Sequence, residues 1–186
     1  MDARRRLLLS PDQIADRVAA LGSEISADYR DEQPILVGVM LGAGVFFADL
    51  IRKIELDIVC DLVSVSSYRN TTTAAHDPDL LMGPREDWCG RHLLFVEAIV
   101  DTGKTARMLL QMARDRHAAS ARMCTLLDKP SRRLCEVGPD YTGFTIPDTF
   151  VVGYGLDYCG MGRNRPGIET IPADMLHIAS GRNASD

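Results

Sequence analysis

The sequence predicts an α/β fold, a central and mostly parallel sheet flanked by helices, on three observations. Short apolar runs alternate with stretches of helical spacing, and the run-to-helix junctions at 41–44 and 101–105 are turns that contain glycine. The 186 residues are 46% hydrophobic, enough to fill one core without disulfides or a structural metal. Strands that alternate with helices run parallel and are covered on both faces, and such sheets bind ligands beyond the carboxyl ends of their strands.

Taken in order, Ser10-Pro11-Asp12-Gln13 has the form of a capping box with proline at the first helical position. Ile14, Val18, Leu21 and Ile25 then share one face, which predicts a first helix. After Pro34 the apolar run "ILVGVML" ends at Gly42 and Gly44 and passes into "VFFADLIRKI", giving strand, glycine turn and helix. A second strand is predicted over "LDIVCDLVSV", a third over "HLLFVEAIV" with its helix at 104–117, a fourth over "ARMCTLL" and a fifth over "TFVVGYGL". Residues 69–90 keep no period, so a long mobile surface loop is expected there, of a length usual for lids. A single domain over 1–186 is expected, with flexible tails at 1–9 and 179–186.

Composition excludes several function classes. A net charge of −5 argues against a nucleic-acid partner, whose phosphates call for a basic surplus. The five cysteines are odd in number and never form a C-x-x-C pair, so neither a disulfide framework nor a zinc site is expected. Three leucines after Arg4-Arg5-Arg6 fall short of a signal-peptide core, and no stretch is long enough to span a bilayer. No membrane partner and a cytoplasmic location are expected.

The chemistry concentrates in "LLFVEAIVDTGKT". At a strand-to-helix junction, Asp101, Thr102, Gly103, Lys104 and Thr105 offer consecutive amides, hydroxyls and a helix N-terminus, a nest for a phosphate. Gly103-Lys104-Thr105 spells the end of a P-loop, but the first glycine of that motif would be residue 98, which is alanine. Gly42-x-Gly44 begins a dinucleotide fingerprint whose third glycine is replaced by Phe47.

The acidic loop resembles the phosphoribosyl diphosphate signature, in which apolar residues, an acidic pair and two more apolar residues precede Asp-Thr-Gly-Lys-Thr. "VFFADL" after a glycine turn, "SSY" at 66–68, "LLDKP" at 126–130 and "GFTIPDTFVVGYGLDY" at 143–158, with an arginine soon after, follow in the order found in hypoxanthine-guanine phosphoribosyltransferases. The sequence is similar to that family over about residues 10–178. The resemblance implies a type I phosphoribosyltransferase fold and transfer of ribose 5-phosphate from phosphoribosyl diphosphate to N9 of a 6-oxopurine (hypoxanthine, guanine or xanthine). The products would be a purine nucleoside monophosphate and pyrophosphate, with Mg2+ as cofactor and a homodimer or homotetramer as the assembly.

It also implies roles. Asp101 is the catalytic carboxylate at purine N7, the 101–105 nest holds the 5-phosphate and Glu97 meets the ribose hydroxyls. Lys129, Phe150, Val151 and Asp157 take the purine, with the lysine donating to its 6-oxo group. Leu41, Gly42 and Arg163 bind pyrophosphate, Ser67 and Tyr68 belong to the flexible loop, and Glu97 and Asp157 are the metal contacts. Spacing alone also allows a surface lysine, a core aromatic, ordinary surface charges and a helix-capping Asp101. Two positions depart from the family pattern: Leu41 stands where a lysine is common, and Ala98 where the second acid of the pair belongs. A regulatory nucleotide binder with little catalysis is the alternative; Asp101, Lys129, Asp157 and the long loop favour the enzyme.

Overall fold

The computed structural model describes residues 5–66 and 77–176. In chain order the elements are β1 (Arg6–Leu9), α1 (Pro11–Asp28), β2 (Ile35–Met40), α2 (Gly44–Ile51), β3 (Val59–Ser66), β4 (Asp79–Met82) and β5 (His92–Val100). They continue with α3 (Lys104–Asp115), β6 (Ser120–Asp128), β7 (Tyr141–Thr145), β8 (Phe150–Val152) and β9 (Ile168–Ile171). The main sheet has six strands in the order β4-β3-β2-β5-β6-β7, parallel except for β4. A second sheet, β1-β9-β8, is antiparallel.

Period two along the strands sorts the core into two layers. Ile35, Val37 and Val39 of β2, with Leu93 and Phe95 of β5, face the apolar side of α3 at Ala106, Leu109 and Ala113. Leu36, Leu94 and Val96, with Cys124 and Leu126 of β6, face α1 and α2. Helix α1 begins as expected: Ser10 accepts from the Gln13 amide at 3.2 Å and Gln13 accepts from the Ser10 amide at 2.9 Å. Its Ile14, Val18, Leu21 and Ile25 are all buried.

Four expectations are corrected. Residues 6–9, expected as part of a flexible tail, form β1, because their hydrogen-bond partners lie in β9, far along the chain. The presumed fifth strand of the main sheet splits: Phe150–Val152 joins the second sheet, and the sixth main strand is β7, at 141–145. Helix α3 ends at Asp115 rather than 117, where His117 takes a positive φ of 56°. Within the loop expected over 69–90, residues 79–82 pair with β3. After them Trp88 is fully buried, its ring edge-on to Phe95 with centroids 5.5 Å apart. The carboxylate of Asp61 fastens this return limb, accepting from the amides of Arg85 and Glu86 and from the Trp88 indole. Ser67 and Tyr68 lie outside the described residues, as does 179–186.

Candidate active site

Because β2, β5 and β6 run parallel, their carboxyl ends open on one edge, and the turns after them meet there. Val100 stands level with Asp128 in the β5–β6 ladder. Each strand delivers a different chemistry to that edge.

After β5 comes the acidic turn. Gly103, with φ of 82°, caps α3 in the left-handed region, so the turn can reverse sharply into the helix. Asp101 is therefore not the helix cap; its carboxylate projects instead toward Arg132, whose Nε stands 2.7 Å from Oδ1. Thr102 is buried and its hydroxyl accepts weakly from the Lys104 amide at 3.5 Å. Lys104 reaches Asp77 at 3.3 Å. The opening amides of α3 have no intrahelical acceptors, and the helix dipole adds partial positive charge, so an anion is favoured at this turn.

The segment after β6 binds this turn along its backbone. The Lys129 amide donates to the carbonyl of Val100 (2.9 Å), the Arg133 guanidinium to that of Asp101 (2.8 Å) and the Leu134 amide to that of Thr102 (2.9 Å). Three successive carbonyls are thus engaged from the β6 side. Arg133 is held in turn by the Asp128 carboxylate.

Lys129 is buried, at 6% exposure, rather than the solvated lysine that its spacing allows. Its ammonium donates to the Thr149 carbonyl at 2.6 Å, and burial pulls its pKa down, with Asp101 and Asp148 opposing. An ammonium has three donors, so this one bond leaves others for a ligand oxygen.

Beyond Thr149, Phe150 lies half-buried and meets Tyr158 edge-on at 5.2 Å between centroids; Val151 beside it is buried. Asp157 pairs with Arg163 at 2.6 Å, and Arg163 also donates to the Gly155 carbonyl at 2.7 Å. Gly155 allows this segment to press on the turn after β2: a Cβ there would stand 2.3 Å from the carbonyl oxygen of Gly42. Leu41 in that turn is exposed, and Gly42 faces Ala98, whose Cβ is 3.8 Å from where a Gly42 side chain would begin. Glu97 is half-buried, its carboxylate accepting from the Ala98 amide at 2.9 Å. Loss of water pushes its pKa up to about 8, although the amides of Ala98 and Ile99 work in the other direction.

Thirteen of the predicted positions, Leu41, Gly42, Glu97, the five from Asp101 to Thr105, Lys129, Phe150, Val151, Asp157 and Arg163, therefore fall on this edge or on the segments packed against it. The sequence reading missed Arg132 and Arg133, although both follow "LLDKP" after only Ser131; a pair of arginines there gives no local sign of which carbonyl or carboxylate it will reach. It also missed Thr149, which acts through its backbone. Among the described residues no three His, Cys, Asp or Glu side chains cluster as a metal cage. No described helix is long and apolar enough to cross a membrane.

A mostly parallel sheet whose edge joins a turn that favours an anion to a buried lysine is an α/β architecture suited to a phosphorylated ligand. The sequence matches the phosphoribosyl transferase domain over residues 8–159, and the chain belongs to that family, within it to the hypoxanthine-guanine phosphoribosyltransferases. It is 42% identical over 171 residues to the hypoxanthine-guanine phosphoribosyltransferase of Streptococcus pneumoniae, spanning 92% of this chain and 95% of the relative. With the enzyme of that name from Bacillus subtilis it shares 40% over 161 residues, covering 87% and 89%. Among solved structures, a hypoxanthine-guanine phosphoribosyltransferase from Bacillus anthracis superposes with a TM-score of 0.84 at 36% identity, covering 90% of this chain and 98% of the other.

Proposed function

We propose that the protein transfers ribose 5-phosphate from phosphoribosyl diphosphate to N9 of hypoxanthine or guanine, forming IMP or GMP and pyrophosphate in purine salvage. The observation that supports this reading is the lacing of the Lys129 segment onto the Val100, Asp101 and Thr102 carbonyls, which puts the proposed purine contact and the proposed phosphate turn on one edge. In the reaction the N9–C1′ bond forms while the bond from C1′ to the diphosphate oxygen breaks, its electron pair leaving with pyrophosphate. The base gives up one proton, for which Asp101, facing N7, is the acceptor or sharing partner.

The 102–105 amides hold the 5-phosphate, and Glu97 meets the ribose hydroxyls. Lys129 donates to the 6-oxo group with a donor that Thr149 does not use; a 6-amino purine would leave that buried N–H without an acceptor. Phe150 covers the base, and the Gly42 turn with Arg163 receives the diphosphate. Glu97 and Asp157 would hold Mg2+, a fit supported by the scarcity of carboxylates, since this ion is commonly bound by one or two carboxylates with substrate phosphates and water. When bound, the ion supplies positive charge to the departing diphosphate. Incubation with phosphoribosyl diphosphate, Mg2+ and hypoxanthine, guanine or xanthine tests the proposal: IMP or GMP should accumulate in step with pyrophosphate. Nucleotide binding without turnover of any base would overturn it.

A further inference from the structure

Asp101 is asked to meet one ring nitrogen of a bound base, which requires one orientation of its carboxylate. The N-cap residue of α3 is Gly103. A group that reaches the Asp101 carboxylate comes from the turn after β6. Arg132 closes the short 3₁₀ turn Pro130–Arg132, its amide donating to the Lys129 carbonyl at 3.1 Å. Its guanidinium spans two carboxylates: Nε lies 2.7 Å from Oδ1 of Asp101, and Nη1 lies 3.2 Å from Oδ1 of Asp148. The Asp101 contact is close but off the hydrogen-bond axis, an ionic contact rather than an aligned donor and acceptor.

A guanidinium is planar and permanently charged, so one group can grip two acids in fixed relation where an ammonium cannot. Asp148 adjoins Thr149, the acceptor for Lys129, and Phe150 follows. Arg132 thus ties the carboxylate at N7 to the strand that would cover the purine. With its side chain a third exposed, the ion pair contributes little to folding, because water screens it.

We infer that Arg132 is a positioning residue: with Asp148 behind it, it holds the Asp101 carboxylate in the orientation that meets the purine. This rests on the reading of Asp101 given above. A misplaced reacting group commonly costs roughly tenfold to a hundredfold in rate. Arg132→Gln should therefore slow single-turnover nucleotide formation by that factor, with the KM for phosphoribosyl diphosphate little changed. Asp148→Asn, which loosens only the far end of the clamp, should slow it less.

The deciding measurement repeats both substitutions in an Asp101→Asn background. If Arg132 acts through Asp101, each adds less than about twofold there, whereas independent sites would show their full effects again. Melting temperatures of all variants accompany the rates. A full additional loss from Arg132→Gln on top of an impaired Asp101→Asn overturns the clamp alone. An unimpaired Asp101→Asn overturns the role of Asp101 and the clamp with it. Loss of rate only in proportion to loss of folded protein also counts against it.

Discussion

Glu97 holds its proton where the unfolded chain has lost it. Its ordinary value of 4.5 rises to about 8 in the fold, so between those limits the folded state binds more protons than the unfolded state, and stability falls as pH rises through the window. Glu97→Gln removes this dependence. Its melting temperature should match that of the parent near the acid end and exceed it near the upper end; parallel thermal melts across the range check this, and equal gaps at both ends would refute it. Ala98 carries the second residue-scale prediction. It is 1% exposed and faces Gly42, so Ala98→Asp places a carboxylate between the turn after β2 and Glu97. Burying that group with few partners should lower the melting temperature of the free protein, at a cost of about 1–3 kcal/mol. A charge-assisted bond to ribose or metal-bound water is worth about 1.5–3 kcal/mol, or roughly tenfold to a hundredfold in kcat/KM for phosphoribosyl diphosphate. Kinetics across a magnesium titration decide: a variant no faster at any concentration denies position 98 the role that its family neighbours suggest.

The turn from Asp101 to Thr105 shows how an element can be legible in sequence while its support is not. Asp-Thr-Gly-Lys-Thr between an apolar run and a helical period is a local signal, and the strand-turn-helix junction it predicts is present. The three carbonyl contacts from Lys129, Arg133 and Leu134 come from residues about 30 positions away and leave no trace in local periodicity. The same holds for Asp61, whose carboxylate organises the limb that ends at Trp88; without that partner, residues 83–88 read as featureless loop. Gly103 is the point where this element can be broken cleanly. An alanine there takes a left-handed φ, costing roughly 1–2 kcal/mol, and its Cβ would lie 2.9 Å from Cδ of Arg133, displacing the side chain that holds the Asp101 carbonyl. Gly103→Ala should weaken IMP or GMP binding by more than about tenfold, well beyond its effect on folding. Calorimetric titration beside thermal melts tests this; unchanged affinity would place the phosphate elsewhere.

At the scale of the molecule, the turn at 101–105 rests on the central sheet, whereas Phe150 and Val151 rest on a small sheet that joins β8 and β9 to β1. The inner strands β2, β3, β5 and β6 of the central sheet were legible because each βα unit is local, whereas its edge strands β4 and β7 were not. The small sheet was not, because β1 and β9 are too short to show a pattern alone and pair across almost the whole sequence. Removing residues 1–9 strips β9 of its neighbour, and β8 depends on β9. The truncated protein should show a larger rise in KM for the purine than for phosphoribosyl diphosphate, together with a lower melting temperature; equal rises would mean that the two sheets do not divide the substrates. The antiparallel pairing also brings the start of β1 beside the end of β9, with Arg6 opposite Thr170. Between β1 and β9 the described chain therefore returns to where it started. A circular permutant, linked from the end of β9 to the start of β1 and opened at exposed Gly138, where an added Cβ would touch nothing within 4 Å, would keep every strand pairing while placing both new termini in a surface loop.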